Sequence, residues 1–234
     1  MSSNNITLDN NLTAISFLLD TSGSMANIDT KELAQAANSL IKEQCEKGNK
    51  VVFYGAKFSD NFTLFSDGEN GSNVNITADM ITPEGATSLV PAFARMIRHM
   101  GSKLSDMTDV RPGNVIFILL SDGEQTMNFL RNKEPEDKPY EGTIGHLNLK
   151  TLVEEHQTTY NWKFFFLGTN FDTIKVGNKF GIDSKSCIDY HWSSQGASNV
   201  MRACSSAVTR SRDATFEGFT NAERSYSSQI DGHN

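Results

Sequence analysis

The chain has 234 residues, a net charge of -7, and 38% hydrophobic and 21% charged residues. This composition is globular and excludes collagen, coiled coil and wholesale disorder. The acid excess argues against broad nucleic-acid binding, which needs a basic surface to neutralise phosphates, and it suits a protein that binds cations or basic partners.

Residues 14–19 are almost wholly apolar and end at Asp20, the pattern of a central strand buried on both faces. Asp29 and Glu32 have capping-box spacing, and Leu33, Ala36, Ala37, Leu40 and Ile41 then mark one face of a helix, with Gly48 as its stop. Residues 50–58 and 62–65 read as strands joined by Ser59-Asp60-Asn61, a hairpin that makes one of them antiparallel. After a polar stretch at 66–75, Leu89, Ala92, Phe93, Met96, Ile97 and Met100 define a second helix, with Pro91 in its first turn. Residues 115–120 form a second buried strand, ending at Ser121-Asp122-Gly123, and a long polar loop follows at 124–145. Leu149, Leu152, Val153, His156 and Tyr160 mark a third helix, and residues 164–167 the next strand. Short helices near 171–180 and 197–208 flank a weak strand at 187–190.

This alternation predicts a doubly wound α/β fold: a mostly parallel central sheet with one antiparallel edge strand and helices on both faces. One domain is expected over residues 12–210, after a lead at 1–11 and before a loose polar tail at 211–234.

In such sheets ligands bind beyond the carboxyl ends of the strands, where the strand order reverses. Two buried strands end there in a carboxylate, Asp20 and Asp122. Asp20-Thr21-Ser22-Gly23-Ser24 gathers one carboxylate and two hydroxyls in a tight loop, and Thr87 in Gly85-Ala86-Thr87-Ser88-Leu89 adds a third hydroxyl from a separate loop. All are hard oxygen donors of the kind Mg²⁺ and Mn²⁺ prefer.

Asp20-x-Ser22-x-Ser24, then Thr87, then Asp122 resembles the metal-ion-dependent adhesion site of von Willebrand factor A domains, with every position present and in order. The resemblance covers about residues 12–210. Phe166-Leu167-Gly168-Thr169-Asn170-Phe171-Asp172 is similar to stand-alone bacterial and phage A-domain proteins, some relatives of which accompany tellurium-resistance and stress systems. The resemblance implies a Mg²⁺ or Mn²⁺ site. Ser22, Ser24 and Thr87 would be direct or near-direct ligands, and Asp20 and Asp122 would act partly through water. One coordination position would remain for a Glu or Asp of a protein partner. Neutral hydroxyl ligands leave much of the metal's charge uncompensated, so an incoming carboxylate is strongly attracted.

The expected function is therefore a metal-dependent adhesion or adaptor module rather than an enzyme, because no base or nucleophile with a partner is evident. Two alternatives stay open: a structural protein of a phage particle or self-associating scaffold, and a metal-dependent hydrolase with Glu84 or Glu124 as base. Glu84, Glu124, Glu134, Glu136 and Asp137 are candidates for a partner-binding rim around the metal, the last four on a loop that otherwise reads as an unstructured insertion. Taken singly, the aspartates also fit turns, and the hydroxyls fit helix caps. His156 reads as a core histidine, and Arg202, Arg210 and Arg212 as a solvated helix end or a site for an acidic partner.

Three widely spaced cysteines, Cys45, Cys187 and Cys204, form no Cys-x-x-Cys pair, which argues against a disulfide framework and a structural zinc. No run reaches the ~18 apolar residues of a membrane span, and the start lacks a signal-peptide pattern. Together with the likeness to bacterial and phage A-domain proteins, which implies such a host, these features point to the cytoplasm of a bacterium or a phage-infected cell, without membrane or nucleic-acid partners.

Overall fold

The computed structural model describes residues 7–46, 50–122, 125–169, 172–191 and 193–229. Six strands form one sheet: β1 (Thr7–Asp20), β2 (Lys50–Phe58), β3 (Phe62–Asn70), β4 (Val110–Ser121), β5 (Lys163–Gly168) and β6 (Cys187–Asp189), in the spatial order β3-β2-β1-β4-β5-β6. All neighbours run parallel except β2 and β3, which form the expected antiparallel hairpin at the edge. The chain leaves β1 to one side and returns to its other side with β4. The strand order therefore reverses between β1 and β4, and ligands of doubly wound sheets bind at that point.

Strand alternation explains the two cores. Ile15, Phe17 and Leu19 of β1 point to the same side as Ile116, Ile118 and Leu120 of β4 and Phe165 and Leu167 of β5. There they meet α1 (Thr30–Glu46) and α5 (Ser194–Arg212) through Leu33, Ala37, Leu40, Val200 and Met201. Ala14, Leu18, Phe117, Leu119, Phe164 and Phe166 face the other side, against α2 (Leu89–Ser105) and α3 (Gly145–Thr159). α4 (Thr173–Lys179) adds Ile174 and Val176 to that second core. Burial on both faces is why the central strands read as continuous apolar runs rather than alternating ones. Phe93 of α2 is the hub of the second core, with ring centroids 5.0 Å from Phe117, 6.0 Å from Phe164 and 6.1 Å from Phe180.

Three boundaries differ from the sequence reading. β1 begins at Thr7, inside the expected lead, and pairs with Val110–Pro112 of β4 before a register shift between Asp9 and Thr13. β3 continues to Asn70, through the stretch read as a polar connection. The C-terminal segment expected to be loose forms α6 (Asn221–Ser227), started by a reciprocal Thr220–Glu223 capping box. α6 is held by paired Arg210–Glu223 hydrogen bonds of 2.9 Å and by the Arg224 guanidinium donating to the Cys187 carbonyl at 2.7 Å. It thereby covers the end of edge strand β6, protecting an otherwise open edge. Asp29 caps α1 as expected, its Oδ1 accepting from the Lys31 and Glu32 amides at 2.9 and 3.2 Å. Gly48, its expected stop, lies outside the described residues.

Candidate metal centre

β1 delivers Asp20 to the reversal point, where it is 2% exposed. Its Oδ1 accepts the Ser22 amide at 2.9 Å, closing an Asx turn that throws the chain into a 3-10 turn at Gly23–Asn27. Its Oδ2 accepts the Ser121 hydroxyl at 2.6 Å, from the last residue of the adjacent β4. Burial pushes the Asp20 carboxyl up to about 6, against the hydrogen bonds from Ser121 and Ser22 and with a further push from the Asp122 charge. The two strand-end carboxylates thus share one buried region, where a cation would relieve both.

The loop that carries Thr87 is tied to this turn by its backbone. The Gly23 amide donates to the Gly85 carbonyl at 3.0 Å, and the Glu84 amide to the Thr21 carbonyl at 2.7 Å. Gly85 adopts φ +71°, and a Cβ there would stand 2.9 Å from Asp60 Oδ1, so only glycine fits without strain. Thr87 follows, 2% exposed, at the entrance to α2.

The segment after Asp122 completes the bracket. Thr126 Oγ1 accepts the Thr87 amide at 2.8 Å, and Gln125 Oε1 accepts the Val90 amide at 2.8 Å. These bonds satisfy amide donors at the start of α2 that its own helix cannot. The loop that carries Asp20, Ser22 and Ser24, the loop that carries Thr87 and the segment after Asp122 are therefore laced together by hydrogen bonds.

The hydroxyls do not serve as helix caps. Ser22 precedes the 3-10 turn and Ser88 precedes α2, yet neither makes a side-chain capping bond. Ser22 Oγ instead lies 2.9 Å from Ser24 Oγ. Two neighbouring ligands of an octahedral Mg²⁺, each about 2.1 Å from the ion, stand about 3.0 Å apart, so this pair already has the spacing of one octahedral edge. The donor set, two carboxylates and three hydroxyls, suits a hard cation. Among the described residues no group of three or more His, Cys, Asp or Glu side chains is placed to bind a metal, so this hydroxyl-rich set is the candidate.

The expected rim residues fare unevenly. Glu84 lies beside the site, exposed, with Lys57 Nζ 3.9 Å from its carboxylate. Glu124 lies outside the described residues. Asp137 is a correction: it is completely buried and cannot form part of an exposed rim. It pairs with Arg95, whose Nε donates to Oδ1 at 3.1 Å, and with Arg98 at 2.6 Å. Both arginines lie on α2, with Arg95 six residues beyond Leu89, about 9 Å along the helix axis. Glu136 is exposed, and Glu134 is 3.8 Å from Arg95, on the same flank of α2 as Asp137. The loop is pinned to α2 by this ion pair and by a 3-10 turn at Pro135–Tyr140, so it is not an unstructured insertion.

His156 is half-buried and engaged within the chain: Nδ1 lies 2.8 Å from the Leu152 carbonyl, and its ring meets Trp162 edge-on at 4.6 Å. Arg210 and Arg212 are engaged internally, with Glu223 and with Gln44, rather than free for a partner. The sequence reading missed Ser121, Gln125 and Thr126. Ser121 stood in the quoted Ser-Asp-Gly motif, but only the strand pairing reveals that it faces Asp20.

Compared as a sequence, the chain matches no protein-family profile, and it matches no curated protein. Its fold is shared with solved structures. The von Willebrand domain of the type V pili tip protein Mfa5 from Porphyromonas gingivalis superposes with a TM-score of 0.57 at 12% identity, covering 85% of this chain and 95% of that one. A von Willebrand factor type A protein from Catenulispora acidiphila gives 0.52 at 12% identity, over 84% of this chain and 42% of that one. The manganese-loaded TRAP protein of Plasmodium vivax gives 0.50 at 16% identity, over 78% and 70%. The chain thus has the α/β fold of von Willebrand factor A domains.

Proposed function

We propose that the chain is a protein-interaction module that binds a divalent cation, Mg²⁺ or Mn²⁺, at Asp20, Ser22, Ser24, Thr87 and Asp122, and through it an acidic side chain of a partner. The observation that carries this reading is the Ser22–Ser24 hydroxyl pair at the spacing of an octahedral edge, next to two converging carboxylates. The ion would supply Lewis acidity and positive charge. The chain's own residues hold it and orient it: Ser121 fixes Asp20, the Gly85 turn fixes the Thr87 loop, and Thr126 fixes Thr87. With neutral hydroxyls as direct ligands, the site retains attraction for an external carboxylate. That structures of this fold include a pili tip protein and a manganese-loaded protein supports the same reading.

The role is binding rather than catalysis. Glu84, one of the two candidate bases, is exposed with Lys57 Nζ 3.9 Å from its carboxylate, which favours binding over catalysis. The three free cysteines, two of them buried, support a reducing compartment such as the cytoplasm.

The test uses Mn²⁺ as a paramagnetic probe. A glutamate-containing peptide is mixed with Mn²⁺-loaded protein, and relaxation of its carboxylate carbon is measured. Relaxation should be enhanced for this peptide, weaker for its glutamine counterpart, and lost when Ser22→Ala is used. Equal relaxation of both peptides would contradict carboxylate capture.

A further inference from the structure

Tyr190 follows the last residue of β6, and its amide donates to the Gly168 carbonyl at the carboxyl end of β5 at 2.9 Å. Gly168 is in turn paired with Ser121 at the end of β4. Tyr190 therefore stands in the row of strand ends that contains Asp122 and Asp20. Alternation places it on the same side as Asp122: Leu120 and Ile188, each two residues earlier, share one core with Tyr190 itself. The backbone beyond it is anchored by the His191 amide donating to the Ser227 carbonyl of α6 at 2.7 Å.

The ring is 3% exposed, and its hydroxyl meets no hydrogen-bond partner among the described residues. A buried tyrosine hydroxyl ordinarily finds a partner, and one without a partner asks for an explanation. Burial, followed by the nearby charges of Asp122 and Asp20, pushes the phenol far above its ordinary range, so it remains a neutral donor. Those same charges make the carboxylate side of the site its natural acceptor. Outer hydrogen bonds of this kind orient the groups that hold a metal and change its affinity about tenfold to a hundredfold.

We infer that the Tyr190 hydroxyl is a positioning group of the metal centre, donating through one water to the Asp122 carboxylate and holding it in the orientation the cation requires. This rests on the proposed metal site. It also links α6 to that site, because the helix fixes the backbone on which Tyr190 stands.

Tyr190→Phe keeps the ring and removes only the hydroxyl. Mn²⁺ affinity is measured by calorimetry for the unmutated chain, Tyr190→Phe and Asp122→Ala, and each melting temperature is measured in chelator. Tyr190→Phe should bind Mn²⁺ at least about tenfold more weakly. Its metal-free melting temperature should change little, since a single water-mediated hydrogen bond adds little net stability. Unchanged affinity in Tyr190→Phe, with binding lost in Asp122→Ala, would overturn this inference and leave the metal site standing. A lowered metal-free melting temperature alongside weaker binding would make the hydroxyl structural and overturn it as well. Failure of the unmutated chain to bind Mn²⁺ would remove both.

Discussion

The Ser121 hydroxyl donates to Asp20 Oδ2 at 2.6 Å, joining the end of β4 to the end of β1 at the point where the sheet reverses its order. Asp20 is buried, so its second oxygen depends on this donor. Ser121→Ala should lower metal-free stability by about 1–3 kcal/mol, because a buried carboxylate loses a partner. Urea unfolding in chelator checks it. Mn²⁺ affinity should fall in the same variant, since Asp20 is then free to turn.

Gly85 is the second hinge of the site. Its φ of +71° and the 2.9 Å approach of Asp60 Oδ1 to a built Cβ exclude other residues. Gly85→Ala should cost about 1–3 kcal/mol in unfolding free energy. It should also weaken Mn²⁺ binding, because the loop displaced is the one that carries Thr87.

Asp137 anchors the long loop to α2 through Arg95 and Arg98. Asp137→Ala leaves Arg95, 6% exposed, without its carboxylate, and should destabilise the chain by about 3–5 kcal/mol. Burial pushes the Asp137 carboxyl up, but hydrogen bonds from Arg95 and the Glu134 amide, with the charges of both arginines, hold it below its ordinary value. A depressed folded pKa means that this contribution is complete above about pH 4, the unfolded value, and is lost as pH falls through the folded one. Melting temperatures measured downward from pH 5 should therefore drop more steeply in the unmutated chain than in Asp137→Ala. Parallel curves would contradict this assignment.

α6 is held by the paired Arg210–Glu223 hydrogen bonds, by Arg224 on the Cys187 carbonyl and by its Ser227 carbonyl accepting the His191 amide. Glu223→Ala removes that pair and half of the capping box. Amide exchange over residues 221–227 should become about tenfold faster while the sheet keeps its protection.

The sheet was readable in the sequence because its strands are buried on both faces. Runs such as Phe164–Phe165–Phe166–Leu167 fit few other structures. The five proposed oxygen donors stand out in the sequence because Asp20, Ser22 and Ser24 share one short spacing after β1, Asp122 follows β4, and Thr87 lies in a short turn before α2. What was not readable depends on distant pairing. Asp137 looks like any loop acid until the fold brings Arg95 and Arg98 against it. Ser121 and Tyr190 acquire meaning only from which strand lies beside which. α6 was overlooked because its stability comes from the capping box and from docking on β6, while its composition is polar.

The most direct test of the metal site is the melting temperature with Mg²⁺ against the same protein in chelator. A ligand that binds only the native state at about a hundred times its Kd stabilises it by about 2.7 kcal/mol. For a chain of this size that is a rise of about 5–10 °C. The rise should vanish in Asp122→Ala. Identical melting temperatures with Mg²⁺, with Mn²⁺ and with chelator would contradict the metal site and the carboxylate capture built on it.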